Sequence, residues 1–131
     1  MSRLKLTTIA LLLLATAQGY AEVGTASWYS VASTIKEGTG QGKGVMANGR
    51  ILDDKKCTAA YWGVAFGTRL KVSRLDKKGK AVSSVEVVVT DRGPSRRLVR
   101  AGRIIDLSAA AFRELAPLSA GIIKVKVEVV K

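Results

Sequence analysis

Along Lys124-Val125-Lys126-Val127-Glu128-Val129, charged and apolar residues alternate without a break. That is the period of a strand with one face in a core and the other in water. The same rhythm runs through Leu70-Lys71-Val72 and through Val85, Val87 and Val89 within Val82 to Val89. Asp76-Lys77-Lys78-Gly79-Lys80 lies between these runs as a polar turn with a glycine, so the two are expected to form a hairpin with its lysines at a solvated tip. Glu22 to Tyr29 reads as an opening strand, and Arg103 to Leu107 as a short buried one. One helix is expected after Ser108, which can cap it. Ala109, Ala110 and Ala111 favour it, and Ala116-Pro117 ends it. A second short helix is expected within Thr58 to Val64. Strands outnumber helices and no strand–helix–strand rhythm repeats, which predicts a mainly β fold, a small barrel carrying one or two short helices.

The first 21 residues stand apart. Arg3 and Lys5 precede an apolar run from Ile9 to Ala15, and Gly19-Tyr20-Ala21 supplies small residues around a cut after Ala21. This is the layout of an export signal. Its apolar run is too short to span a bilayer, and no cysteine lies near the cut to carry a lipid anchor. The expected mature domain is residues 22–131, with no stable membrane insertion and a secreted or periplasmic destination in a bacterial envelope. Loss of Arg3 and Lys5 leaves it 20 Lys and Arg against 10 Asp and Glu, a net charge of +10. Such a balance attracts polyanions. Export separates the protein from nucleic acid, so an acidic envelope polymer is the better partner.

Two absences narrow the chemistry. Cys57 is the only cysteine, so no internal disulfide forms, and it reads as a small buried side chain. There is no histidine, which removes Ser-His-Asp, Cys-His and HExxH sites. No calcium-loop spacing organises the remaining oxygen ligands, so neither a metal nor another cofactor is expected. Gly38-Thr39-Gly40-Gln41-Gly42-Lys43-Gly44 lacks the hydroxyl that a phosphate loop needs after its Gly-Lys pair, and reads as a flexible surface loop.

Carboxylates, hydroxyls and cations remain. Asp91 ends an apolar run before Gly93-Pro94, and Asp106 ends a second run after a loop holding Arg92, Arg96, Arg97, Arg100 and Arg103. Those guanidinium groups either pair with acids to fix the loop or clamp anionic groups of a substrate. They also oppose proton holding, since a general acid needs a raised pKa and nearby cations lower it. Desolvation must outweigh them at one carboxyl. Trp28 and Tyr29 end the first strand, where alternation turns one ring inward and leaves the other as a platform for a sugar face.

Six motifs occur in order: Gly24-Thr25-Ala26-Ser27-Trp28-Tyr29, Met46-Ala47-Asn48-Gly49, Thr58-Ala59-Ala60, Phe66-Gly67-Thr68, Thr90-Asp91-Arg92-Gly93-Pro94 and Arg103-Ile104-Ile105-Asp106-Leu107-Ser108. Together they resemble the RlpA-like (rare lipoprotein A) domain family, relatives of the expansin barrel. The resemblance implies a six-stranded double-psi β-barrel over residues 22–131 that acts on peptidoglycan glycan strands. In the lytic transglycosylase route that it implies, an acid protonates the glycosidic oxygen and a substrate hydroxyl closes an anhydro ring. The expected site has Asp91 as principal acid/base, with Asp106 orienting it or sharing the proton, and Trp28, Tyr29, Asn48, Tyr61 and Arg92 binding substrate. The chain departs from the family pattern at Arg50, where active members carry glutamate, and at Tyr61, where they carry histidine. Asp53 or Asp54 could take the place of the lost acid. A non-catalytic, expansin-like wall-binding module is the alternative, and an effector or inhibitor of an acidic protein partner is a third class.

Overall fold

The computed structural model describes residues 21–131, so the expected export signal falls outside the described residues except for Ala21. Six strands close a barrel: β1 (Ala21–Tyr29), β2 (Thr58–Ala60), β3 (Arg69–Leu75), β4 (Ala81–Asp91), β5 (Arg103–Ser108) and β6 (Ile123–Val129), in the spatial order β1-β5-β2-β4-β3-β6. β1 runs parallel to β5 and β2 parallel to β4, while the other neighbouring pairs are antiparallel. Two interlocked crossovers therefore carry the chain, and they bring the ends of β1, β4 and β5 together with β2.

Alternation explains the wall. Leu70 and Val72 of β3, Val87 and Val89 of β4, and Val125 and Val127 of β6 are fully buried, with charged neighbours such as Lys71, Glu86 and Lys124 outside. The β3–β4 hairpin forms as expected. Asp76 Oδ1 accepts from the Lys78 and Lys80 backbone N–H groups, and a side chain bonding its own following backbone is how aspartate makes a turn. On β1, a Cβ at position 24 would stand 2.7 Å from the Gly102 carbonyl oxygen and 2.8 Å from Ile104 Cγ2. Only glycine lets β1 approach β5 that closely, next to the bulge at Thr25/Ala26.

Three short helices are attached: α1 (Val31–Glu37), α2 (Arg96–Arg100) and α3 (Ala109–Leu115). The expected helix is α3. Ser108 Oγ caps it by accepting from Ala111 N, and fully buried Phe112 carries it into the core cluster. α1 was not expected, yet Ser30 and Ser33 form a reciprocal capping box at its start. That motif usually carries Glu or Gln at the second position, so serine there hides the signal.

The helix expected within Thr58 to Val64 is a strand instead. Thr58, Ala59 and Ala60 are all buried between β4 and β5. A short run with no polar face has no period to separate helix from strand. Cys57 is half-buried beside the core, and burial, then the Glu114 charge, pushes its thiol pKa up. Among the described residues, no helix is long and apolar enough to cross a membrane.

Candidate functional site

The two carboxylates meet around one small residue. Ala60 of β2 is the register partner of Asp91 on its parallel side and of Asp106 on its antiparallel side. Neighbouring strands lie about 4.8 Å apart, so the two aspartates occupy strands roughly 10 Å from each other with an alanine between them. Both line an open cleft of about 450 Å³, bounded by Tyr29, the Arg92-Gly93-Pro94 corner and the end of α1.

Their surroundings differ. Asp91 Oδ1 accepts from the backbone N–H groups of Ala47 and Arg92, both at 2.8 Å, and Oδ2 accepts from the Tyr29 hydroxyl at 3.2 Å. Both oxygens thus serve as acceptors that tie the Met46–Arg50 turn and the end of β1 to β4. Asp106 Oδ1 accepts from the Ser27 hydroxyl, its register partner on β1. Burial raises the Asp106 pKa above the ordinary carboxyl value. The Ser27 bond and the Arg103 charge oppose the rise, and the Glu37 and Asp91 charges add to it. Desolvation outweighs the Ser27 bond and the nearby guanidinium at Asp106, so the net shift is in the direction a proton holder needs. Burial and the Asp91 charge likewise push the Tyr29 phenol far up, so it remains a donor at neutral pH.

The other expected residues separate. Tyr29 and Arg92 line the cleft with the aspartates. Arg92 is braced there, its Nη1 donating to the Tyr61 carbonyl at 2.9 Å and its guanidinium stacked over Phe66. Trp28 packs against the core and donates its indole N–H to the Leu118 carbonyl at 3.0 Å, away from the cleft lining. Tyr61 is a core residue whose hydroxyl donates to Glu22, and it borders a different hollow with Trp62 and Arg96. Tyr61, expected to bind substrate, therefore lies outside the lining of the Asp91–Asp106 cleft. Asn48 lies in a third hollow, across the Met46–Arg50 turn from the cleft, and Arg50 and Asp53 lie there too. Arg50 therefore puts no cation into the cleft. Neither suggested replacement acid enters it: Asp54 Oδ1 accepts from Val31 N at the start of α1, and Asp53 Oδ1 accepts from Lys55 N.

Of the five loop arginines, only Arg92 lines the cleft; Arg96 leaves it to stack over Trp62. Sequence reasoning missed Glu37, the last residue of α1, which lines the cleft and bears electrostatically on Asp106. Recognising the Ser30/Ser33 box would have shown the helix that delivers it. The glycine-rich segment is more than a surface loop, because Gly40 and Gly44 form part of the cleft wall. Gly40 has φ +56°, and Val45 N donates to its carbonyl.

A closed six-stranded barrel with two parallel pairs, holding two carboxylates beside one inner strand, defines a double-psi β-barrel protein. Within that class the chain belongs to the lytic transglycolase family, whose model matches residues 21–127. It is 39% identical over 112 residues to the endolytic peptidoglycan transglycosylase RlpA of Pseudomonas aeruginosa, across 86% of this chain and 28% of that protein. It is 37% identical over 113 residues to the RlpA of Vibrio cholerae, across 86% of this chain and 37% of that one. The chain spans about a quarter to two fifths of the length of the curated relatives it matches. Among solved structures it resembles a Streptomyces papain inhibitor, with TM-score 0.58 and 25% identity over 86% of this chain and 96% of that one. It also resembles a mutant Clavibacter michiganensis expansin in complex with cellohexaose, with TM-score 0.55 and 27% identity over 86% of this chain and 51% of that one.

Proposed function

We propose that this chain is an exported envelope protein that holds peptidoglycan glycan strands in the Asp91–Asp106 cleft and cleaves them as a lytic transglycosylase. The observation that carries the reading is the placement of both carboxylates on one open cleft, with burial raising the Asp106 pKa. Asp106 gives its proton to the glycosidic oxygen as the C1–O bond breaks. The C6 hydroxyl oxygen of the same sugar attacks C1 and closes the 1,6-anhydro ring, and its proton returns to Asp106. No water is consumed, so the carboxylate spacing of hydrolytic glycosidases does not apply. Asp91, expected from the sequence as the principal acid/base, takes the positioning role in this reading, because both its oxygens are engaged as acceptors by Tyr29, Ala47 and Arg92. Relatives named as peptidoglycan transglycosylases support the substrate class.

Incubating the purified protein with sacculi tests the proposal. Anhydro-muropeptides are expected from the wild type, and from Asp106→Asn at a rate lower by about 10²–10⁴. Their absence from the wild type refutes cleavage.

A second reading is a barrel that grips glycan without cutting it, favoured by the solved expansin–cellohexaose likeness and by Arg50. Sacculus pull-down without soluble products selects it. In either case the cationic surface contributes to binding, which raised salt weakens.

A further inference from the structure

Beyond the Gly93-Pro94-Ser95 corner of the cleft lies a second hollow of about 310 Å³, walled by Trp62, Arg96, Glu22, Val99 and Ile104. Two arginine–aromatic stacks fasten the corner to the segment that follows β2. The Arg92 guanidinium lies 4.0 Å from the ring centroid of Phe66, and that of Arg96 lies 4.1 Å from the centroid of Trp62. The Trp62 indole N–H donates to the Pro94 carbonyl at 2.6 Å, while Pro94 and Ser95 line the cleft. Cleft and hollow therefore share one wall.

The hollow has the parts of a sugar site. Trp62 is only half-buried, so its ring keeps apolar surface toward the hollow. Arg96 is exposed, and neither ion pair among the described residues, Arg69–Glu86 or Lys126–Glu128, includes it. Stacking holds its guanidinium flat and leaves N–H groups for a ligand. Opposite, Glu22 Oε1 accepts from the Tyr61 hydroxyl, which orients the carboxylate and leaves its second oxygen as an acceptor. A Cβ at Gly63 would meet nothing within 4 Å, so the approach between these groups is open. An apolar platform with one planar donor and one planar acceptor fits the hydroxyl and acetamido groups of a hexosamine. The two charges cancel, so an uncharged ring suits the hollow better than an anion.

Resting on the glycan-cleft reading, we propose that the Trp62–Arg96 hollow is an outlying sugar subsite. It takes an uncharged N-acetylglucosamine ring of the strand whose reacting bond lies between Asp91 and Asp106. Binding energy gathered at a remote ring holds the strand in place for the reacting one. Trp62 and Arg96 are thus affinity residues with no part in proton transfer.

The chain has two tryptophans, and their indole N–H signals make an NMR titration with a stripped glycan hexasaccharide decisive. The hexasaccharide is expected to shift the Trp62 indole signal together with the Tyr29, Asp91 and Gly93 amides, and to leave the Trp28 indole in place. Trp62→Leu and Arg96→Gln are each expected to weaken it about 3–10-fold, the usual worth of an aromatic contact, with folding verified from the unmoved Trp28 signal. Trp62→Phe keeps a platform but loses the bond to Pro94, and is expected to retain most of the affinity. Equal losses in the Phe and Leu variants would make Trp62 a brace for the corner and overturn the subsite. Amidating the lactyl carboxyls of the oligomer is expected to preserve the Trp62 shift; its disappearance would overturn the uncharged ring. Cleft shifts without a Trp62 shift sink the subsite and leave the cleft. A Trp62 shift without cleft shifts sinks the cleft reading and leaves a sugar site in the hollow.

Discussion

Ser27 and Asp106 are register partners across the parallel β1–β5 pair, and the serine hydroxyl donates to the aspartate carboxyl. A donor to the charged form favours ionisation, so this bond restrains the rise that burial imposes. Ser27→Ala is expected to raise the Asp106 pKa further. The alkaline limb of kcat/KM for anhydro-muropeptide release, which falls as the general acid ionises, then moves to higher pH. A limb that stays in place separates Asp106 from proton donation.

Asp106→Asn is expected to lower turnover by about 10²–10⁴, the usual contribution of a general acid, without loss of thermal stability at pH 7. The sign follows from the direction of the shift. A carboxyl whose folded pKa is raised contributes stability below its unfolded pKa and loses that contribution as pH rises through the folded value. Asparagine carries no charge to desolvate at any pH and keeps an acceptor for Ser27. Melting curves at pH 4 and pH 7 check it: the variant gains on the wild type as pH rises.

Glu37 and Arg103 act on Asp106 in opposite directions. Glu37→Gln is expected to move the alkaline limb down in pH, and Arg103→Gln to move it up. Glu37 is exposed at the end of α1, so its substitution leaves the melting temperature nearly unchanged. Parallel pH–rate profiles decide; shifts of the same sign in both variants contradict the electrostatic assignment.

Asp91 accepts three hydrogen bonds from three segments. Asp91→Ala is expected to destabilise the fold by about 2–3 kcal/mol, given roughly 1 kcal/mol for each bond. Asp91→Asn keeps an oxygen for the amides and loses less. Urea denaturation of the two variants measures the difference, and equal stabilities refute the positioning role.

Trp28 and Tyr29 are neighbours with different duties. Trp28→Phe removes the bond to the Leu118 carbonyl, with an expected loss of about 1–2 kcal/mol and unchanged glycan affinity. Tyr29→Phe frees Asp91 Oδ2 within the cleft and is expected to weaken glycan binding. Calorimetric titration with glycan oligomers distinguishes them; equal affinity losses erase the distinction.

Much of the barrel was legible from the chain alone. Strict alternation in β3, β4 and β6 declares a buried face whatever packs against it, because a strand's side chains must point to opposite sides. The Ser108 cap and the alanine run of α3 are local signals of the same kind. β2 was not legible, since burial on every side removes the period, and α1 was hidden by serine standing for glutamate in its capping box.

The site divides in the same way. Asp91 and Asp106 could be chosen from the sequence because each ends an apolar run, and strand ends are where a barrel opens. That they flank Ala60 depends on a parallel and an antiparallel pairing between distant strands, which no local pattern encodes. Tertiary structure alone carried Trp28 and Tyr61 out of the cleft, brought Glu37 in from a helix end, and placed Arg50 across the turn. Desolvation at Asp106 is likewise a property of the folded surroundings, because the cost of charging a carboxyl depends on the volume of protein around it rather than on its neighbours in the chain.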